Sequence, residues 1–212
     1  MAARKAIAAP IMAVLFPSVL IFGALVLVTL AATPARSEAP GGHPPILRGE
    51  TGQFTLSRPL RTAPLMPIRT GRGGVTNLTR FHGKIVLLNF WATWCLPCIR
   101  EMPSLDRLQE ALGGDDFTVV ALSIDDGPEP VARFFARSGL KTLAPYLDPN
   151  GTSARAFKLF GLPMTYLIDR RGRIRGYITG AVDWDSRAAR ALIAYYIDAN
   201  SDRAAGTGPA PR

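Results

Sequence analysis

The chain is poor in cysteine and histidine, with two of each among its 212 residues. Cys95 and Cys98 are separated by only two residues. A disulfide framework needs more bridges at wider spacing, and a zinc site normally takes four Cys or His ligands. His43 lies in a Pro/Gly-rich stretch and His82 in a turn, neither at ligand spacing from the cysteines. No metal is therefore expected. Aromatic residues are few, at 8%, and acidic residues are outnumbered by basic ones, which leaves a formal net charge of +9. A basic excess can signal nucleic acid. Here Lys and Arg are scattered, with no dense run and no interleaved aromatic platform, so no nucleic-acid partner is expected. Internal repeats are absent. With 48% hydrophobic residues, the length suits one packed domain plus appendages.

The N-terminal segment bears on the compartment. Arg4 and Lys5 precede a stretch without charge that lasts until Arg36, and its apolar heart runs from Ile11 to Ala32. A membrane-spanning helix needs about 20 apolar residues, whereas the core of a cleaved signal has about 7–15. The length favours one uncleaved N-terminal transmembrane helix over residues 1–33, and the charges before it favour a cytoplasmic N-terminus. Thr29-Leu30-Ala31 leaves a second reading open, a cleaved signal that releases a soluble periplasmic protein. Either way the remainder is exported, so the expected place is the periplasmic side of an inner membrane. One closely spaced cysteine pair in an oxidising compartment points to redox work.

Residues 34–52 are rich in Pro, Gly and small polar residues and read as a linker. Residues 53–200 form the expected domain, and the Ala/Gly/Pro-rich tail 201–212 reads as disordered. Phe54 to Gly74, with three prolines, suits an edge hairpin or an extended lead-in. Ile85 to Trp91 and Phe117 to Ser123 are apolar runs suited to strands buried on both faces. Cys98 to Leu112 puts Ile99, Met102, Leu105, Leu108 and Leu112 on one helical stripe, with Pro103 inside it. Val131, Phe134 and Phe135 mark a short helix with Phe134 and Phe135 in the core. Gly151 to Phe160 predicts another helix, with Ala154, Phe157 and Phe160 inward. Met164 to Asp169 and Ile174 to Thr179 predict a hairpin. Arg170 to Arg175 reads as its solvated turn, or as a contact for an acidic partner or lipid headgroups. Ala188, Ala191, Leu192, Tyr195 and Tyr196 form a last helical stripe, capped by Asp185 or Ser186. This order predicts an α/β fold, a central mixed β-sheet flanked by helices.

The chemistry is expected at Trp94-Cys95-Leu96-Pro97-Cys98. A cysteine that opens a helix meets unsatisfied backbone N–H groups and the positive end of the helix dipole. Both stabilise a thiolate, which can lower a thiol pKa from about 8.5 to about 7 or below. Cys95 is in that position. Cys98 lies almost one turn further in, is expected to be more buried, and is the resolving thiol. Pro97 costs little at a helix start, because its missing N–H would be orphaned there anyway. Trp94 and Leu162 are expected as an apolar rim and Trp91 as core.

Phe90 to Cys98, followed by Arg100-Glu101-Met102-Pro103, resembles the thioredoxin superfamily, specifically its membrane-anchored TlpA/ResA/CcmG-like branch. Gly161-Leu162-Pro163 before Met164 to Asp169 matches the second landmark of that branch, and the resemblance implies a cis-proline loop facing the dithiol. It runs from about Gly74 to Ala199. It implies a thioredoxin fold and a periplasmic thiol-disulfide oxidoreductase whose only redox group is the Cys95–Cys98 disulfide, with no separate cofactor. Implied catalytic residues are Cys95 and Cys98. Trp94, Leu96, Pro97, Leu162 and Pro163 are the expected substrate contacts. Implied clients are proteins with cysteine pairs in cytochrome c or cytochrome oxidase copper-site assembly. The implied electron source is a membrane protein of the CcdA/DsbD type.

The sequence departs from the pattern at three points. Thioredoxin carries a buried Asp on its central strand as proton acceptor, and the matching residue here is Asn89. ResA-like proteins place Glu between the cysteines, where this chain has Leu96. Position 164, often Thr in relatives, is Met. Glu101 is a candidate for proton transfer, although a carboxylate in a helix's first turn also suits the dipole. Two other functions share the sequence features. One is a disulfide oxidase or isomerase on the same fold; oxidising relatives often place His between the cysteines, and Leu96 and Pro97 carry no charge. The other is a copper chaperone using the thiols as ligands, although such carriers use CxxxC and a distant His.

Overall fold

In the computed structural model, which describes residues 43–205, the apolar run Ile85–Trp91 is strand β4 and all of its residues are buried. Side chains alternate faces along a strand. Ile85, Leu87 and Trp91 join one half of the core, and Val86, Leu88 and Phe90 join the other. Asn89 lies between Leu87 and Trp91 in this alternation. It is therefore a polar group buried on the first of the two faces.

Among the described residues the sheet has eight strands: β1 (Thr55–Thr62), β2 (Ile68–Thr70), β3 (Val75–Thr76), β4, β5 (Phe117–Ser123), β6 (Pro145–Leu147), β7 (Met164–Ile168) and β8 (Arg173–Thr179). Their spatial order is β1-β8-β7-β4-β5-β6-β2-β3. Strand β4 runs parallel to β5 and antiparallel to β7, so the sheet is mixed as expected. The helices are α1 (Leu96–Leu112), α2 (Pro128–Ser138), α3 (Thr152–Ala156) and α4 (Arg187–Ala205). Residues from α1, α2 and α4 pack with Leu87 and Trp91 in the same half of the core.

Helix α1 continues across Pro103 to Leu112. Its inner face is less apolar than the expected stripe, because Glu101, Ser104 and Asp106 are buried with Met102, Leu105 and Leu108. Each anchors a distant loop. The Asp106 carboxylate accepts from the backbone N–H groups of Lys141, Thr142 and Leu143 at 2.8–3.2 Å, and the Ser104 hydroxyl accepts from Trp184 N–H at 3.1 Å.

Several local expectations are corrected. The segment expected to be linker as far as residue 52 already belongs to the domain at Leu47, a core residue, and Glu50 N–H bonds the Ala181 carbonyl. The proline-bearing lead-in supplies the edge strand β1, as expected, and also β2, next to the opposite edge; β6 was not expected. Phe134 and Phe135 are half-buried against Trp91. Helix α3 stops at Ala156, and Lys158 takes a left-handed φ of 56°. The chain turns there, which leaves Phe160 73% exposed rather than inward.

The inner stripe of α4 is Ala189, Leu192, Ile193 and Tyr196, so Ala188 and Ala191 face outward. The Ser186 hydroxyl accepts from Ala189 N–H and caps the helix. That helix reaches Ala205, into the expected tail, whereas 206–212 lie outside the described residues. Three of the turn arginines, Arg170, Arg173 and Arg175, are anchored by carboxylates, whereas Arg171 is exposed as expected. Arg170 pairs with Asp116 at 2.6 Å, and the buried Asp169 takes Arg173 at 2.9 Å. Among the described residues no helix is long and apolar enough to cross a membrane; Ile11 to Ala32, the expected anchor, lies outside them.

Candidate active site

Strand β4 ends at Trp91, and Ala92, Thr93 and Trp94 carry the chain into α1. Cys95 is the N-cap of this helix. Its Sγ accepts the backbone N–H of Cys98 at 3.3 Å, one of the donors a helix start leaves unpaired. The two cysteines are joined in a disulfide. Cys95 is 7% exposed and Cys98 wholly buried, so the expected order of accessibility holds although neither sulfur stands open.

The connecting loop is held from the neighbouring strand. Asp125, just past β5, accepts Thr93 N–H at 3.0 Å, the Thr93 hydroxyl at 2.7 Å and the Ser123 hydroxyl at 2.6 Å. Because β4 and β5 are parallel, their C-terminal ends lie side by side, and this buried carboxylate ties one to the other. Asp125 is not among the residues expected at the site. Its only local signal was a carboxylate directly following an apolar strand.

A groove of about 640 Å³ opens beside Cys95. Trp94, Leu96, Pro97 and Leu162 line it as expected. Trp94 and Leu96 are 68% and 64% exposed, an unusual display for large apolar side chains. Leu159 and Arg155 also line it and were not anticipated. The Leu162–Pro163 bond is cis. Pro163 itself is buried behind the groove, where its carbonyl accepts Gly180 N–H at 2.9 Å. Met164 is buried and does not line this groove.

On the inner side of α1, Glu101 follows Cys98 by three residues, a spacing that places both on one helix face. Its carboxylate is 2% exposed. Oε1 accepts from the Asn89 amide at 2.7 Å, and Oε2 accepts from Val182 N–H at 3.1 Å and Trp184 Nε1–H at 3.2 Å. Glu101, expected either for proton transfer or as a first-turn carboxylate suited to the dipole, is thus buried with both oxygens hydrogen-bonded. Burial pushes its carboxyl up to about 7, against the opposing pull of the Asn89, Val182 and Trp184 donors. Asn89 cannot itself take a proton, yet it holds the group that can. The signal was present in the sequence, as an acidic residue inside the apolar stripe of α1. Glu101 also borders a second cleft, of about 460 Å³, with Glu50, Arg100 and Ser104. Among the described residues, no three His, Cys, Asp or Glu side chains gather where they could hold a metal ion.

A dithiol at the start of a helix, next to a cis-proline loop, on a mixed sheet, can be compared with known proteins. The sequence profile of the AhpC/TSA family matches residues 59–177. The chain belongs to this family. It is similar to the thiol-disulfide oxidoreductase ResA of Geobacillus thermodenitrificans (strain NG80-2), with 35% identity over 121 residues, 57% of this chain and 69% of that one. It is equally similar to the thioredoxin-like protein YneN of Bacillus subtilis (strain 168), 35% identical over 122 residues, 57% and 71% of the two chains. Among solved structures, a thiol:disulfide interchange protein of the thioredoxin family from Chlorobium tepidum TLS superposes with a TM-score of 0.56 at 25% identity, covering 68% of this chain and 99% of that one. The AhpC/TSA member described here is thus a thiol-disulfide oxidoreductase of thioredoxin fold, with the Cys95–Cys98 disulfide as its redox centre.

Proposed function

We propose that this oxidoreductase works in the reducing direction, on the periplasmic side of an inner membrane to which residues 1–33 attach it. Its clients are exported proteins with cysteine pairs, of the kind used in cytochrome c or cytochrome oxidase copper-site assembly. The observation that carries the reading is the asymmetry around the disulfide. An apolar groove reaches Cys95, while Cys98 is closed off on the side where Glu101 is buried.

The cycle begins with both cysteines reduced. The Cys95 thiolate attacks one sulfur of the client disulfide, and the other client sulfur leaves as a thiolate and takes a proton. Cys95 is then linked to the client. Cys98 gives its proton toward Glu101 and attacks the Cys95 sulfur, and the second client sulfur departs. Two electrons have passed to the client and the Cys95–Cys98 disulfide has formed. A carboxyl with a pKa of about 7 suits this exchange, since it is poised between acid and base near neutral pH. A membrane electron donor of the CcdA/DsbD type would restore the dithiol. Support for the clients and the donor comes from the sequence resemblance, and support for the compartment from the apolar segment Ile11 to Ala32.

The full chain carrying Cys98→Ser tests this reading in its native host. The variant should accumulate disulfide-linked adducts at Cys95 with a few exported proteins that carry cysteine pairs. Adducts spread evenly over unrelated proteins, or none at all, would count against it.

A further inference from the structure

A second hollow, of about 490 Å³, lies next to the dithiol groove and shares a loop with it. In the loop after α3, Leu159, Gly161 and Leu162 line the dithiol groove, whereas Lys158 and Phe160 line the hollow. The left-handed turn at Lys158 produces this division. Across the hollow stands an arch of β1. In its pairing with β8, Leu56 faces Gly176 and Arg61 faces Ile174, so Ser57 to Leu60 bulge out opposite Arg175 alone. A bulge of this kind bends an edge strand away from its partner and re-aims its side chains. Here Arg58 and Arg61 line the hollow, and Tyr166 and Tyr177 complete its aromatic part.

The charge is one-sided. Arg58, Arg61 and Lys158 are the ionisable groups of opposite sign to a carboxylate, and among the described residues no Asp or Glu lines the hollow. None of the ion pairs among the described residues uses these three cations. The other arginines of this edge behave differently, since Arg173 and Arg175 both reach Asp169. Phe160 adds a large apolar surface that the domain itself leaves uncovered.

We propose that this hollow binds an acidic stretch of the client polypeptide, an Asp or Glu beside an aromatic or aliphatic residue, flanking the cysteine that reacts with Cys95. The inference rests on the reductase reading and adds its substrate class. A client cysteine bonded to Cys95 lies in the dithiol groove, and a chain leading from it over the 158–162 loop, which walls both sites, enters the hollow. Since one loop walls both sites, we place the acidic residue within a few positions of the cysteine along an extended chain. Complementary charge at such a site selects partners and speeds encounter. A concave hollow that shares a loop with the reactive groove suits an extended peptide better than a flat lipid surface.

The test uses the full chain, reduced, in a non-ionic detergent. Two extended peptides carry the same internal disulfide, one flanked by Asp-Asp-Phe and the other by Asn-Asn-Phe. At low salt kcat/KM for the acidic peptide should exceed that for the neutral one by about five- to tenfold. The ratio should fall toward one in Arg58→Gln/Arg61→Gln/Lys158→Gln, and also in the unaltered chain at about 0.5 M salt. Because a ratio is read, partial loss of activity in the variant does not blur the result. Equal rates on the two peptides with the unaltered chain, or a preference that survives the triple substitution, would overturn the proposal. So would a hollow that binds micelles containing phosphatidylglycerol through the three cations yet ignores the acidic peptide. Binding of a fluorescent, cysteine-free copy of the acidic peptide is measured separately. If that copy binds through the cations while neither disulfide is reduced, the hollow stands and the reductase reading is what fails.

Discussion

The Asn89 side-chain amide donates a 2.7 Å hydrogen bond to Oε1 of Glu101, joining strand β4 to helix α1 beneath the disulfide. The same amide nitrogen donates to the Thr165 hydroxyl at 3.0 Å, while Asn89 Oδ1 is left without a partner. A polar bridge therefore connects the central strand, the dithiol helix and the strand after the cis-proline loop.

Glu101 should make stability fall as pH rises through the range from 4.5 to about 7. Its folded-state pKa lies above the unfolded one, so the folded chain holds a proton there that the unfolded chain has released. Below about 4.5 both states are protonated and nothing is lost. Above about 7 the full cost of a buried carboxylate is present. Urea unfolding of the wild type and Glu101→Gln should show the wild type losing about 3 kcal/mol relative to the variant between about pH 4 and about pH 8. A pH-independent difference would refute the burial argument. Asn89→Leu removes a donor that favours the carboxylate and should move the transition to higher pH.

Alkylation of the reduced protein at neutral pH should reach Cys95 first, by at least about tenfold, because thiolate character and access both favour the helix start. Mass spectrometry of a short pulse reads the ratio. Preferential labelling of Cys98 would reverse the assignment of roles.

Asp125→Ala should loosen the loop that presents Trp94. The substitution strips the acceptor from Thr93 N–H, the Thr93 hydroxyl and the Ser123 hydroxyl. A loss of about 1–3 kcal/mol in unfolding free energy is expected. Reduction of a protein disulfide should slow more than that of a small one, since the small substrate does not need the rim. Equal slowing of both would mean a purely global effect.

The direction of the reaction can be read from the reduction potential. Leu96 and Pro97 carry no charge, the nearest helix cation, Arg100, is turned to Glu50 at 3.1 Å, and Arg155, which lines the groove, donates from Nη1 to the Asn150 carbonyl. With little besides the helix dipole to stabilise the reduced pair, the potential should lie below about −200 mV, against about −120 mV for a strong oxidant. That gap is worth about 4 kcal/mol for a two-electron couple, so equilibration with dithiothreitol or glutathione resolves it. A value near about −120 mV would make the protein an oxidase.

The elements nearest the dithiol were legible in the sequence because their signals are local. Continuous apolar runs marked β4 and β5, and a cysteine pair with Pro97 after a buried run marked the start of α1. Turn residues marked the β7–β8 hairpin. The failures have local causes too. The turn at Lys158 is a backbone event that a helical period cannot report, so Phe160 was placed inward. The α4 stripe was shifted because several adjacent phases of an Ala-rich helix look alike. Short edge strands such as β6 carry too few residues for a period.

The sequence by itself determined the redox pair, the helix that opens at Cys95 and the alternation of strands and helices that carries them, since each depends on neighbours within a few residues. Only the tertiary structure decided what surrounds that pair. The partners of Glu101 come from residues 12, 81 and 83 positions away. The groove beside Cys95 and the basic hollow next to it are bounded by segments far apart in the chain. Burial, and with it the protonation of a carboxyl or the charge of a pocket, depends on the density of atoms in space, which residue order reveals only once the chain has packed.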